Sequence, residues 1–199
     1  FTVRAYRTLA GIMITASHNP KEYNGYKVYW EDGAQLPPEH ADVVAKEMDA
    51  LDLFTDVQTM DYEQAKVEGL IKTLGPESDE LYLRQIQKMC INPDAIDAVA
   101  DEFKIIYTPF HGAGYKLVPE ILRRIGYKNI ICVPEQMVID GNFPTVKSPN
   151  PENKEGFALA IEMAKKQGVD LIIGTDPDSD RLGILEKVNG SFQPISGNR

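Results

Sequence analysis

What this sequence lacks narrows its class before any motif is read. No apolar run reaches the roughly 20 residues needed to span a bilayer, and the opening Phe1-Thr2-Val3-Arg4 has neither the charge nor the apolar stretch of a signal peptide. Cysteine is scarce. Cys90 and Cys132 lie far apart, match no metal or redox spacing, and sit at the ends of apolar segments where buried free thiols are common. A reducing cytoplasm fits that usage. Positive charge is in deficit, with 21 Lys and Arg against 30 Asp and Glu and a net charge of −9. There is then no general attraction to nucleic acid or to an anionic membrane, and an anionic ligand must be held by local donors. Internal repeats and low-complexity tracts are missing too.

What is present is enough to fold: 199 residues, 43% hydrophobic and 26% charged, the balance of one large or two small globular units rather than a disordered chain. The missing initiator Met and the stop at Gly197-Asn198-Arg199 read as a piece of a longer protein.

Gly11 to Ala16 is a short apolar run that stops at the turn signal Ser17-His18-Asn19-Pro20, so it reads as a strand delivering a loop, with Tyr26 to Trp30 as the next strand. After Pro37-Pro38, apolar residues recur at helical spacing to about Leu51. Residues 52–77 give no clear pattern. Ser78 caps a helix to about Cys90, ended by Asn92-Pro93. The expected division falls there, with one unit at 1–92 and a second at 93–199. The second alternates: strand 103–108, helix 114–125, strand 129–134, helix 154–167, and strands 170–175, 182–188 and 192–195. This is an α/β pattern, and its long crossovers predict a largely parallel sheet covered on both faces.

At the end of the buried-strand pattern Asp170 to Gly174 comes Thr175-Asp176-Pro177-Asp178-Ser179-Asp180-Arg181. Alternate residues of a looped segment can converge, and three carboxylates offer the hard oxygen ligands that suit a divalent cation, which would also relieve their mutual repulsion. A solvated acidic turn is the plain alternative, but the carboxyl end of an α/β strand is where such folds place ligands. An EF-hand is excluded, because the sixth position counted from Asp176 is Arg181 and the twelfth is Lys187. Arg181 can pair with the carboxylates or grip a phosphate next to the metal.

Ser17 and His18 stand at the end of the first strand. No G-x-S-x-G elbow surrounds the serine, and neighbours on an extended chain point to opposite sides, so they are not expected to form a dyad. On their own they read as turn residues. Taken together, Thr15-Ala16-Ser17-His18-Asn19-Pro20, Asn24-Gly25-Tyr26-Lys27 and the Asp176–Arg181 loop resemble the α-D-phosphohexomutase (phosphoglucomutase/phosphomannomutase) family. The stretches Thr108-Pro109-Phe110-His111-Gly112-Ala113-Gly114, Phe143-Pro144-Thr145-Val146 and Pro149-Asn150-Pro151-Glu152 look similar as well.

The resemblance implies two phosphoglucomutase-type α/β units with mixed or parallel sheets, the first incomplete, corresponding to part of domain 1 and most or all of domain 2 of a four-domain enzyme. It makes Ser17 the phosphoryl carrier and, once phosphorylated, a metal ligand beside Asp176, Asp178 and Asp180. His18 and Arg181 become phosphate contacts and Lys27 the general acid/base. The implied cofactors are one Mg²⁺ and glucose 1,6-bisphosphate or a similar activator. The partner is a small sugar phosphate, isomerised between its 1- and 6-phosphates through a bisphosphate, with neither nucleic acid nor membrane involved. On this reading Ser17 comes from the first domain, the Asp loop from the second, and the sequence alone is inactive. Lys27 also reads as a solvated strand lysine, His18 as a turn residue and Lys21 as surface charge. Rival readings are a phosphopentomutase of the same family, a non-catalytic module keeping the fold, and a dinucleotide-binding unit at Gly112-Ala113-Gly114, whose third glycine is replaced by Leu117.

Overall fold

The computed structural model describes residues 1–195 and 197 and divides into two compact units. The first comprises Phe1–Met13 and Tyr26–Glu80, and the second Ile14–Gly25 and Leu81–Arg199. Ser196, Asn198 and Arg199, within the stretch expected to lead toward a third domain, lie outside the described residues.

The first unit carries helix α1 (Thr2–Tyr6), strand β1 (Gly11–Ile14) up to its last residue, strand β2 (Tyr26–Tyr29) paired with β1 in a two-stranded sheet, and helices α2 (Pro38–Asp49) and α3 (Tyr62–Val67). Helix α2 begins with proline in its first turn, where the missing N–H costs nothing. Asp61 caps α3 by accepting from Gln64 N, so the stretch without a clear sequence pattern holds a helix too short for periodicity to reveal. Two strands offer little face to bury, and among the described residues of this unit only Val3 and Ala65 are buried hydrophobics.

Helix α4 (Pro76–Gln87) starts two residues before the expected cap: Ser78 lies inside it, and its hydroxyl bonds Tyr6 instead. Asn92-Pro93 does not merely end that helix. Asn92 accepts from Ala95 N and caps a further helix, α5 (Pro93–Asp97).

The rest of the second unit follows the alternating pattern: β3 (Lys104–Thr108), α6 (Gly114–Arg124), β4 (Asn129–Cys132), a 3-10 turn at Lys154–Phe157 running into α7 (Ala158–Gln167), then β5 (Leu171–Thr175), β6 (Leu182–Val188) and β7 (Ser191–Pro194). The five-stranded sheet has the order β4-β3-β5-β6-β7. It is mixed rather than largely parallel: β4, β3 and β5 are parallel, whereas β5, β6 and β7 are antiparallel. Six residues between β5 and β6 are too few for a crossover helix and force a hairpin. The core joins Ile106 of β3, Ile172 of β5, Leu185 of β6 and Phe192 of β7 to Ala160 and Ala164 of α7, with Phe110 and Phe157 packed edge to face at 5.0 Å.

Three motif residues that sequence alone left without a role hold this unit together. His111 is buried, with Nδ1 2.9 Å from Val138 O and Nε2 2.8 Å from Thr145 Oγ1. A carbonyl can only accept, so Nδ1 carries a proton, and in the neutral imidazole the Thr145 hydroxyl donates to Nε2. Gln136 Nε2 then donates to Thr145 Oγ1 and Thr108 Oγ1 donates to Gln136 Oε1, closing a satisfied buried network.

Candidate functional site

The serine loop, residues 14–25, packs within the second compact unit, the same unit as the Asp loop. Its ends are tied by Thr15 N donating to Gly25 O at 3.0 Å, and Asn19 N returns to Ala16 O at 3.1 Å. Gly25 is needed there, because a Cβ would lie 2.9 Å from Thr15 O. Ser17 adopts a left-handed φ of 55°, strained for a serine, and its amide donates to Thr15 Oγ1 at 2.8 Å. That conformation overturns the expectation that Ser17 and His18 diverge: Ser17 Oγ is 3.2 Å from His18 Nδ1, since the backbone is turned rather than extended.

The Asp loop is closed by its own backbone, with Asp176 N donating to Arg181 O at 3.3 Å and Ser179 N to Asp176 O at 3.0 Å. Arg181 N donates to Asp176 Oδ1 at 3.0 Å, while Thr175 Oγ1 meets Tyr107 OH at 2.8 Å beneath the loop. Asp176, Asp178 and Asp180 turn one carboxylate oxygen each to within 4.8 Å of the others, and their exposure grades from buried through half-buried to exposed. Such a set of three hard, anionic oxygens reaching the surface fits a divalent cation such as magnesium.

The two loops meet. Ser17 Oγ donates to Asp176 Oδ2 at 3.0 Å, and Thr15 Oγ1 donates to Asp178 Oδ2 at 3.1 Å. Thr15 was not singled out from sequence as a site residue. The signal was available in the spacing, since positions 15 and 17 are two apart and the threonine hydroxyl both supports the serine amide and holds an aspartate.

Asp176 is fully buried, and burial pushes its carboxyl up to about 6; the Asp178 carboxylate adds to the rise, while hydrogen bonds from the Arg181 amide and the Ser17 hydroxyl oppose it. The folded protein therefore holds this proton more tightly than the unfolded chain, whose ordinary value is 3.8. The ionised carboxylate is a penalty present in full above about pH 6 and lifted as pH falls toward 4. In chelator, Asp176→Asn should melt above wild type at neutral pH, the gap narrowing on acidification through about 6. A gap that stays constant across that range rejects the assignment.

The Arg181 guanidinium lies 3.9 Å from Glu152 Oε1, and its amide donates to Asp176. Lys21 Nζ is 3.5 Å from Asn142 Oδ1. Lys27 is carried by β2 of the first unit. The space beside Gly112 and Gly114 is taken by the chain itself, by the Pro177 backbone at Gly112 and by Tyr107, Ser179 and Thr175 at Gly114, which gives both glycines a packing role apart from dinucleotide binding.

Among the described residues no helix is long and apolar enough to cross a membrane. The chain matches the model of phosphoglucomutase/phosphomannomutase α/β/α domain II over residues 80–190 and that of domain I over residues 1–54. Along its whole length it is 39% identical to a phosphoglucomutase of Staphylococcus saprophyticus, 36% to a phosphoribomutase of Saccharomyces cerevisiae and 35% to a phosphomannomutase of Mycoplasmoides pirum. It covers 35%, 33% and 35% of those proteins, about a third of each. Two crystal structures share its fold. A Thermus thermophilus protein assigned provisionally as a phosphomannomutase has a TM-score of 0.73 at 22% identity, over 96% of this chain and 39% of that one. A phosphoglucomutase/phosphomannomutase family protein of Burkholderia thailandensis has 0.59 at 20%, over 94% and 34%. The chain belongs to the phosphoglucomutase/phosphomannomutase family.

Proposed function

We propose that this chain carries the phosphoryl-transfer centre of a longer phosphosugar mutase that interconverts hexose 1-phosphate and 6-phosphate. One observation carries the reading: a serine hydroxyl on a strained turn donates a 3.0 Å hydrogen bond to the innermost of three convergent aspartates. The expected division at 1–92 and 93–199 would make the serine loop a contribution of the first domain seated among groups of the second.

Asp176, Asp178 and Asp180 would hold Mg²⁺, with an oxygen of phosphorylated Ser17 completing the set. The ion, when bound, offsets negative charge on the transferred phosphoryl group. In the first half-reaction the sugar hydroxyl attacks the phosphorus of phosphorylated Ser17 and gives its proton to Lys27 in its neutral form. The P–Oγ bond breaks, and Ser17 Oγ takes a proton from His18, whose Nδ1 is 3.2 Å away. After the bisphosphate turns round, its other phosphate returns to Ser17 by the reverse path, restoring both protons. Arg181 contributes its amide to Asp176 and its guanidinium to the phosphate, swinging away from Glu152. Glucose 1,6-bisphosphate or a similar compound would load Ser17, in a reducing cytoplasm where both cysteines stay free.

The test is isomerisation by the full-length protein of glucose, mannose and ribose phosphates with magnesium and the matching bisphosphate. Hexose turnover supports the reading. Turnover confined to ribose phosphate moves it to a phosphopentomutase, and no turnover of any of them, with Ser17 unmodified, rejects it.

A further inference from the structure

We infer that Gly112 and Gly114, with Ala113 between them, are positioning residues for the Asp loop: the turn from β3 into α6 is a backbone rest that sets where the carboxylates stand. This rests on the proposed reading of Asp176, Asp178 and Asp180 as metal ligands.

The contact is between main chains. Ala113 N donates to Pro177 O at 2.8 Å, and a Cβ added to Gly112 would fall within 3.0 Å of Pro177 Cα, C and O. Backbone atoms cannot step aside as a flexible side chain does, so any side chain at position 112 must displace the loop or the turn. Pro177 stands between Asp176 and Asp178, and its displacement moves both. Gly114 closes the other flank, where a Cβ would come within 3.0 Å of Tyr107 Oη, Ser179 Oγ and Thr175 Oγ1.

The turn itself is firmly held. Phe110 and His111 take left-handed φ values of 46° and 65°, Phe110 N donates to Thr108 Oγ1 at 3.2 Å, His111 N to Gln136 O at 3.0 Å and Gly112 N to Pro109 O at 2.8 Å. Through His111 and Gln136 the rest is anchored in the buried Thr108–Gln136–Thr145 network. A rigid rest matters because magnesium tolerates little departure from octahedral geometry at about 2.0–2.1 Å, whereas calcium accepts longer and more variable ligand distances. Displacing Pro177 should therefore cost the small ion more than the large one.

The experiment titrates the full chain with Mn²⁺, read by the electron paramagnetic resonance of the free ion, with Mg²⁺ and Ca²⁺ as competitors. Gly112→Ala is expected to weaken Mn²⁺ and Mg²⁺ by about 10–100-fold and Ca²⁺ by less. Gly141→Ala, whose Cβ meets nothing within 4 Å, and Val169→Ala, which loosens the core ahead of β5, at the end of that strand away from the loop, should leave all three affinities unchanged. If Gly112→Ala binds the three ions as wild type does, or if Val169→Ala loses Mn²⁺ equally, the inference is overturned. Should Gly112→Ala lack the circular dichroism of the folded chain, Gly114→Ala decides by the same criteria. Wild type that takes up no Mn²⁺ overturns the metal reading itself, and this inference with it.

Discussion

Ser17→Ala in the full-length protein should abolish uptake of the single phosphoryl group, about 80 Da, that wild type gains from glucose 1,6-bisphosphate in magnesium. Mutase turnover should fall by roughly 10⁴-fold or more, because removing the covalent carrier eliminates the step instead of slowing it. The fold should survive. Ser17 is only partly buried and its hydroxyl makes one donor contact, to Asp176 at 3.0 Å, while the turn is held by backbone bonds and Thr15. The left-handed φ of 55° is no easier for alanine, so a small loss of thermal stability is expected with no change in secondary structure. A mass gain in the alanine variant would put the carrier elsewhere. Failure of both proteins to gain mass would remove the central step and favour the binding module that keeps the fold.

Phe157→Ala should be the most damaging change to the scaffold under the Asp loop. Gly174 of β5 and Gly183 of β6 face one another in the antiparallel register and leave a slot in the sheet. A Cβ on Gly174 would fall within 3.0 Å of the Phe157 ring carbons Cε1 and Cζ, and one on Gly183 would reach 3.0 Å from Cζ. The ring fills that slot and takes the edge of Phe110. Its truncation is expected to cost about 3–5 kcal/mol, since two glycines have no side chain with which to close the cavity. Amides of Ile172, Ile173 and Leu185 should then exchange hydrogen about 10²–10⁴ times faster under conditions where exchange reports the opening equilibrium. Unchanged protection would show that the slot collapses readily. Because β5 and β6 carry the two ends of the Asp loop, weaker metal retention should accompany the faster exchange.

Several features of this protein were determined by local sequence. Buried runs such as Lys104–Thr108 and Leu171–Thr175 marked strands, their alternation with helical spacing marked an α/β sheet, and the Ser17 and Asp176–Arg181 loops marked candidate sites, since each signal repeats within a few residues. The short helices α1, α3 and α5 are not legible because five or six residues hold too little periodicity, and Asn92-Pro93 after a helix reads as a stop although Asn92 also caps the next helix. The sheet turned mixed because the Asp loop is too short for a crossover, a fact of loop length rather than of strand composition.

What only the tertiary structure decided are the relations between residues far apart in the chain. The Ser17 hydroxyl reaches Asp176 across 159 positions, Thr15 reaches Asp178 across 163, and Gly112 leaves its missing side chain's space to Pro177. Side-chain periodicity records which face of an element is buried, but not what is buried against it. The serine and histidine of one loop likewise come together only because a single residue turns left-handed, a backbone choice that no run of apolar or polar residues encodes.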